Sequence, residues 1–186
     1  MNVADIFGDL PVLETERTLL RKITMADAYD MFEYCSDEAV SEYTTWYAHK
    51  TLEDTKVFIE RVLHAYGNSD IGPWGIVDKQ TSKLIGTCGF VYWNTVHARA
   101  EVGYALSRAY WNKGIMSEVV SRIIDFGFRD MQLVRLEARC LLPNIGSAKV
   151  MEKTGMAFEG TLCKNVFTKG MHHDLKLFAI INDNIE

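Results

Sequence analysis

The sequence predicts a mixed α/β fold in which a mostly antiparallel sheet carries helices on both faces, and three observations predict it. Three β-rich runs, Trp74 to Val77, Leu84 to Trp93 and Arg99 to Leu106, follow one another over short connections and read as a meander. A segment of helical periodicity, Glu118 to Phe128, then leads into a cleanly alternating run, Leu133 to Leu141, which is the pattern of a β-α-β crossover. The 186 residues are 48% hydrophobic and contain no repeat, low-complexity tract or Pro/Gly/Ser-rich linker, which suits one domain over residues 1–186, with 1–12 as a short N-terminal extension.

From the N-terminus, Thr15 to Ile23 alternates around Leu19 and Leu20 and predicts a strand. Thr24, with Asp27 three residues on, predicts the capped start of a helix in which Ala28, Met31 and Phe32 recur at helical spacing. Thr51 repeats the device ahead of Val57, Ile59, Val62 and Leu63. Asp78 to Lys83 joins the first two strands of the meander as a hairpin, and in its third strand Val102, Tyr104 and Leu106 share one face while Arg99 and Glu101 take the other. Val119, Val120, Ile123, Ile124 and Phe128 give the next helix its apolar stripe; Val134, Leu136, Ala138 and Cys140 line one face of the strand after it. Ser147 to Lys153 predicts a short helix closed by Gly155, and the tail to Ile181 reads as two strands. The order is therefore β, α, α, β, β, β, α, β, α, β, β. Sheets of this kind bind ligands where neighbouring strands part at their carboxyl ends, which places the chemistry around Leu106, Gly114 and the strand from Leu133.

Twenty Lys and Arg against twenty-five Asp and Glu give a formal net charge of -5, with the basic residues scattered rather than gathered into a stripe, so direct nucleic-acid binding is disfavoured. The first 13 residues hold two acidic residues and no basic one and lack the apolar run of a signal peptide; no segment approaches the roughly 20 apolar residues of a membrane span. A cytoplasmic protein without a membrane partner is expected. Cys35, Cys88, Cys140 and Cys163 lie far apart, with no CxxC pair and no His at ligand spacing, and read as reduced, mostly buried thiols. His172 and His173 are adjacent in a predicted strand and point to opposite faces, so no metal is expected there. The sequence fixes no oligomeric state, and a homo-oligomer is compatible with it.

Between Leu106 and the following helix lies Ser107-Arg108-Ala109-Tyr110-Trp111-Asn112-Lys113-Gly114. A helix N-terminus has unpaired N–H groups and partial positive charge, so it attracts phosphate. Gly114 admits a close ligand and Lys113 adds a charge, although a glycine near a helix start serves ordinary turns as well. The GxxxxGK[ST] spacing of a P-loop is absent, which argues against nucleoside triphosphate hydrolysis.

Three separated pieces carry a resemblance: Leu13 to Arg21 (LETERTLLR), Glu101-Val102-Gly103-Tyr104 running into Tyr110 to Glu118 (YWNKGIMSE), and Asn144 to Met156 (NIGSAKVMEKTGM). In this order they resemble the GNAT superfamily of N-acetyltransferases, in particular its ribosomal-protein N-terminal, RimJ/RimL-like subgroup. The resemblance implies a GNAT-like fold, a mixed sheet splayed open at two parallel strands. It implies acetyl-CoA as acyl donor, with pantetheine along the backbone of Tyr104, Ala105 and Leu106 and the pyrophosphate on Asn112, Lys113, Gly114, Ile115, Met116 and Ser117; Asn144 would reach the donor from the next strand. The family pattern Q/R-x-x-G-x-G/A departs here at both ends, Trp111 and Met116.

Acetyl transfer needs a proton removed from the attacking ammonium and stabilisation of the departing thiolate. Glu101 is the candidate base, directly or through a water, the alternative being a structural pair with Arg99 or a neighbouring strand cation. Glu137 reads as a structural partner of an Arg. The tyrosine that many family members place seven residues after the motif Asn is Met151 here. Ser147 stands where the RimJ/RimL-like subgroup carries a serine proposed to contact the thiolate, the alternative being helix capping beside Asn144. Cys140 lies on an apolar face with no His near it in sequence and is not expected to act as a nucleophile. Trp46, between the first two helices, is the candidate substrate contact. The resemblance implies transfer to a primary amine, with a protein N-terminus, a small amine (polyamine, amino acid or aminoglycoside) and a non-catalytic acyl-CoA-binding module as the alternatives.

Overall fold

The computed structural model describes residues 2–183. Asn2 caps helix α1 (Val3–Phe7) in a stretch expected to be a plain extension, and Phe7 is fully buried. Strands β1 (Leu13–Glu14) and β2 (Thr18–Arg21) occupy the region read as one strand from Thr15 to Ile23. The interruption is local chemistry: the Thr15 hydroxyl accepts from the Thr18 amide at 3.0 Å and lies 2.8 Å from the Thr18 hydroxyl, bending the chain into a turn. Asp27 then accepts from the amide of Thr24 at 2.8 Å and from its hydroxyl at 3.0 Å, so the expected capping pair forms around a 3-10 turn, Met25–Asp27, that feeds α2 (Ala28–Cys35).

A short α3 (Glu38–Ser41) follows, and α4 (Leu52–Gly67) starts at the Thr51 and Asp54 capping box. The meander comprises β3 (Trp74–Asp78), β4 (Leu84–Asn94) and β5 (Arg99–Leu106); α5 (Ile115–Arg129) crosses over to β6 (Arg135–Leu141); α6 (Ile145–Lys153), β7 (Ala157–Thr168) and β8 (Met171–Ile181) complete the order. The strands form one sheet ordered β1-β2-β3-β4-β5-β6-β8-β7. Among the described residues β5 and β6 are the one parallel pair, as the crossover between them requires.

The two sheet faces are packed differently. On one, Phe7, Trp74, Phe90 and Phe126 interlock with ring centroids 5.6 to 6.5 Å apart, and α5 comes so close that a Cβ on Gly127 would lie 2.9 Å from Leu136 Cδ1. On the other, α2 and α4 cover the β2 to β4 half: Asp30 accepts from the Leu84 amide at 3.0 Å, and the Tyr66 hydroxyl bridges the Ile23 amide and the Pro73 carbonyl. Beyond that cover, the same face carries a strip of ion pairs, Arg135 to Glu137 at 2.6 Å, Arg135 to Glu159 at 2.5 Å and Arg99 to Glu137 at 3.7 Å, so Glu137 is structural as expected. His172 meets the Phe167 ring edge-on while His173 lies 3.2 Å from the Thr168 carbonyl, so the two rings diverge. Cys35, Cys88 and Cys140 are buried free thiols and Cys163 is exposed. No helix among the described residues is long and apolar enough to cross a membrane.

Candidate active site

The parallel pair holds register only from Arg99↔Arg135 to Val102↔Ala138, yet β5 runs on to Leu106 and β6 to Leu141. Past Val102, β5 pairs with β4 alone and β6 with β8 alone. The Ser107 amide donates to the Ile85 carbonyl at 2.8 Å, so the alternation of an antiparallel ladder aims Ala105 at β4 and turns the main-chain groups of Tyr104 and Leu106 toward the gap. A strand edge left unpaired inside a fold invites an extended ligand.

The gap opens onto the N-terminus of α5. Asn112 (φ 59°) and Gly114 (φ 77°) are both in the left-handed region, which folds the chain back under the helix start. The first bond of the helix runs from the Glu118 amide to the Gly114 carbonyl at 3.1 Å, and no side chain caps it. The amides of Ile115, Met116 and Ser117 thus precede the first bonded turn and carry the partial positive charge that suits a phosphate. Arg17, in the β1–β2 turn, braces the loop: its guanidinium donates to the Lys113 carbonyl at 2.8 Å and pairs with Glu118 at 2.6 Å. Burial raises the Glu118 carboxyl, but hydrogen bonds from Thr15 and Arg17 outweigh it and hold it below its usual value. Trp111 returns its indole to the Leu106 carbonyl at 2.8 Å, a structural use for the residue at the head of the motif.

A cavity of about 410 Å³ joins these parts. Its lining includes Tyr104, Ala105, Leu106, Asn112, Gly114, Ile115, Met116, Ser117, Asn144 and Ser147, residues singled out from the sequence. Lys113 is outside the lining, its ammonium 5.4 Å from the Tyr110 ring centroid. The Asn144 carboxamide accepts from the Ser147 amide at 3.0 Å, so α6 begins at Ile145, two residues before the expected start, and Asn144 is its cap. Ser147 is thereby released from capping. Its hydroxyl lies 2.9 Å from the Tyr104 hydroxyl instead. Met151, in the place of the family phenol, is fully buried.

Glu101 and Trp46 stand outside the cavity lining. Both Glu101 oxygens accept from the Arg139 guanidinium, and the Glu101 side chain is 12% exposed. The strand-cation pairing left open by the sequence therefore forms, with Arg139 rather than Arg99. Trp46 packs 5.7 Å from the His49 ring, while its neighbours Tyr43 and Thr44 reach the cavity. The sequence places Tyr43 and Thr44 only in the loop that carries Trp46, and Arg17 only within the LETERTLLR motif, without a role for Arg17 at the donor turn. Lys149 and Lys153 also line the cavity, and one turn of helix apart they had a readable periodicity.

A sheet split at its parallel pair, over a helix start whose first amides are bare, leaves room for an extended ligand with a phosphate at one end. A family model described as Acetyltransferase (GNAT) domain matches residues 17–157. The uncharacterized N-acetyltransferase YoaA of Bacillus subtilis (strain 168) is 32% identical over 171 residues, spanning 92% of this chain and 97% of that protein. Among solved structures, a GNAT-family acetyltransferase from Bacillus anthracis superposes with a TM-score of 0.82 at 29% identity over 92% of this chain and 98% of the other. The ribosomal-protein-S5-alanine acetyltransferase of Vibrio fischeri gives 0.79 at 27% identity over 95% and 99%. The chain belongs to the GNAT acetyltransferase family and is an acetyl-CoA-dependent N-acetyltransferase.

Proposed function

We propose that the acetyl group passes from acetyl-CoA to the α-amine of a protein N-terminus by direct attack. Pantetheine extends β5 on the main-chain groups of Tyr104 and the amide of Leu106, whose carbonyl is held by the Trp111 indole, with Ala105 held to β4; the pyrophosphate lies on the turn from Asn112 through Lys113 and Gly114 to the amides of Ile115, Met116 and Ser117. Asn144 supports this geometry by fixing the start of α6. The single observation that carries the donor assignment is the end of β5–β6 register at Val102↔Ala138.

The acceptor assignment rests on Glu101. Both its oxygens are engaged by Arg139, so a proton is taken through a water that shares the pair rather than by a free carboxylate. An α-ammonium with a pKa of about 7.7–8.0 is partly neutral near neutral pH, whereas a lysine-like alkylammonium near about 10.4 demands far more of a base. The weaker demand fits this site, and the similarity to an acetyltransferase named for ribosomal protein S5 alanine supports it. Trp46 flanks the acceptor path through the loop that also presents Tyr43 and Thr44. Use of acetyl-CoA and buried free thiols fit a cytoplasmic enzyme.

The test is CoA release from acetyl-CoA across a panel of N-terminal peptides, polyamines, amino acids and aminoglycosides. Turnover concentrated on the peptides is expected. A polyamine or aminoglycoside turned over faster than every peptide overturns the acceptor assignment, and tight acetyl-CoA binding with no turnover on any amine makes the chain a binding module.

A further inference from the structure

Three protic side chains from three elements converge where the split between β5 and β6 meets α6. Tyr104 projects from β5, Ser147 from the first turn of α6 and Cys140 from β6, and the Ser147 hydroxyl is the shared member. Its oxygen lies 2.9 Å from the Tyr104 hydroxyl, and the phenol has a second acceptor in the Ser147 carbonyl at 3.2 Å. Tyr104 and Ser147 both line the cavity. Because Asn144 supplies the helix cap, nothing in α6 requires the serine hydroxyl for itself.

A serine hydroxyl has one proton and two lone pairs, and a phenol has one proton to give. When the phenol donates to Ser147 Oγ, the serine proton is left to point elsewhere, and a hydroxyl that accepts one bond becomes a better donor in the next. We propose that Tyr104 is a positioning residue for thioester cleavage: its phenol donates to Ser147 Oγ and so directs the serine proton to the sulfur from which the acetyl group departs. The inference rests on the acyl-donor reading above. It assigns to a β-strand phenol, acting through a serine, the work that the phenol absent at Met151 does not do here.

The step balances without an added reagent. The amine lone pair forms the new C–N bond at the thioester carbonyl, the C–S bond breaks with its electron pair on sulfur, and the sulfur leaves as a thiolate that accepts from Ser147. The proton lost from the amine passes through the water to the Glu101 carboxylate, and no proton leaves Tyr104. Burial pushes the Tyr104 phenol well up, so it remains a donor throughout the working pH range. The other titratable groups facing this cluster are Cys88 on β4, Cys140 on β6 and, through Cys140, Lys176 on β8; burial pushes both thiols up, so neither competes as a thiolate.

The experiment compares Tyr104→Phe, Ser147→Ala and the double variant by two readouts: kcat with saturating acetyl-CoA, and titration of the thiol of bound free CoA followed by thiolate absorbance. Tyr104→Phe should lower kcat about tenfold, leave CoA affinity at a pH where the thiol is protonated within about twofold, and raise the bound thiol's midpoint by about one unit, the equivalent of that tenfold loss. Ser147→Ala should do more on both readouts, and Tyr104→Phe should add nothing in its background. A thiol midpoint that Tyr104→Phe does not move, or a loss that adds fully to that of Ser147→Ala, overturns the inference while leaving the donor site intact. Failure of the native protein to bind CoA overturns the donor reading itself.

Discussion

Glu101 on β5 and Arg139 on β6 form a bidentate pair, and both oxygens of the carboxylate are engaged. Glu101→Gln is expected to lower kcat by about 10² at neutral pH, at the low end of what a general base contributes, with acetyl-CoA affinity kept. The loss should shrink as pH rises and the amine deprotonates without help. Arg139→Gln, which breaks the pair but keeps the carboxylate, should cost stability more than rate. Equal rate losses in both variants at every pH, measured by steady-state kinetics, would make the pair structural. Lys149 and Lys153 both line the cavity from one face of α6, where like charges a turn apart repel by about 0.2–0.5 kcal/mol unless an anion lies between them. The double alanine variant should weaken CoA binding severalfold and flatten its dependence on ionic strength, read by calorimetry at two salt concentrations. At this scale the sequence revealed which residue types gather at the site but not their partners. Tyr104 and Ser147 are 43 positions apart and meet only through the crossover. Met151 was readable as a missing phenol, and its full burial shows that the position now serves the core.

The turn before α5 depends on backbone conformation more than on side chains. Gly114→Ala puts a Cβ on a residue at φ 77°, at a cost of about 1–2 kcal/mol. It should lower the denaturation midpoint and weaken CoA together. Gly146, in the first turn of α6 and meeting nothing closer than Asn144 Oδ1 at 3.7 Å, is the control for stability alone, since it also lines the cavity: Gly146→Ala should stabilise the helix by up to about 1 kcal/mol. At the start of α2, burial is the largest influence on Asp27 and raises its carboxyl, but hydrogen bonds from Arg21 and Thr24 together outweigh it and hold the group below its ordinary value of 3.8. A depressed carboxyl stabilises the fold above the unfolded value and loses that contribution as pH falls through the folded one. Asp27→Asn should therefore destabilise by about 2 kcal/mol at neutral pH, and the gap from the native protein should close below roughly pH 4, in urea unfolding at a series of pH values. Capping boxes at Thr24 and Thr51 were legible because their partners are three residues apart. The start of α6 was misplaced because Ser147 and Asn144 are both good caps in sequence, and the β1–β2 turn was missed because threonine suits a strand as well as a hydroxyl-closed turn.

The crossover from β5 through α5 to β6 creates the slot on which the proposed function rests. Among the described residues antiparallel pairing accounts for every other strand neighbour, and the one parallel pair parts after four residues, leaving a slot that begins in the middle of the sheet and ends at the bare amides of α5. The meander and the crossover were readable from periodicity. The point where register stops was not, because no residue type marks it. Arg17 joins the N-terminal strands to this slot across 101 positions to Glu118, which ties the opening motif to the proposed donor site. Amide hydrogen exchange with and without acetyl-CoA tests the slot most directly. Tyr104, Leu106, Ile115, Met116 and Ser117 should gain protection while Ala105, already bonded to β4, changes little; exchange unaltered at those five amides under saturating acetyl-CoA would contradict binding in the split.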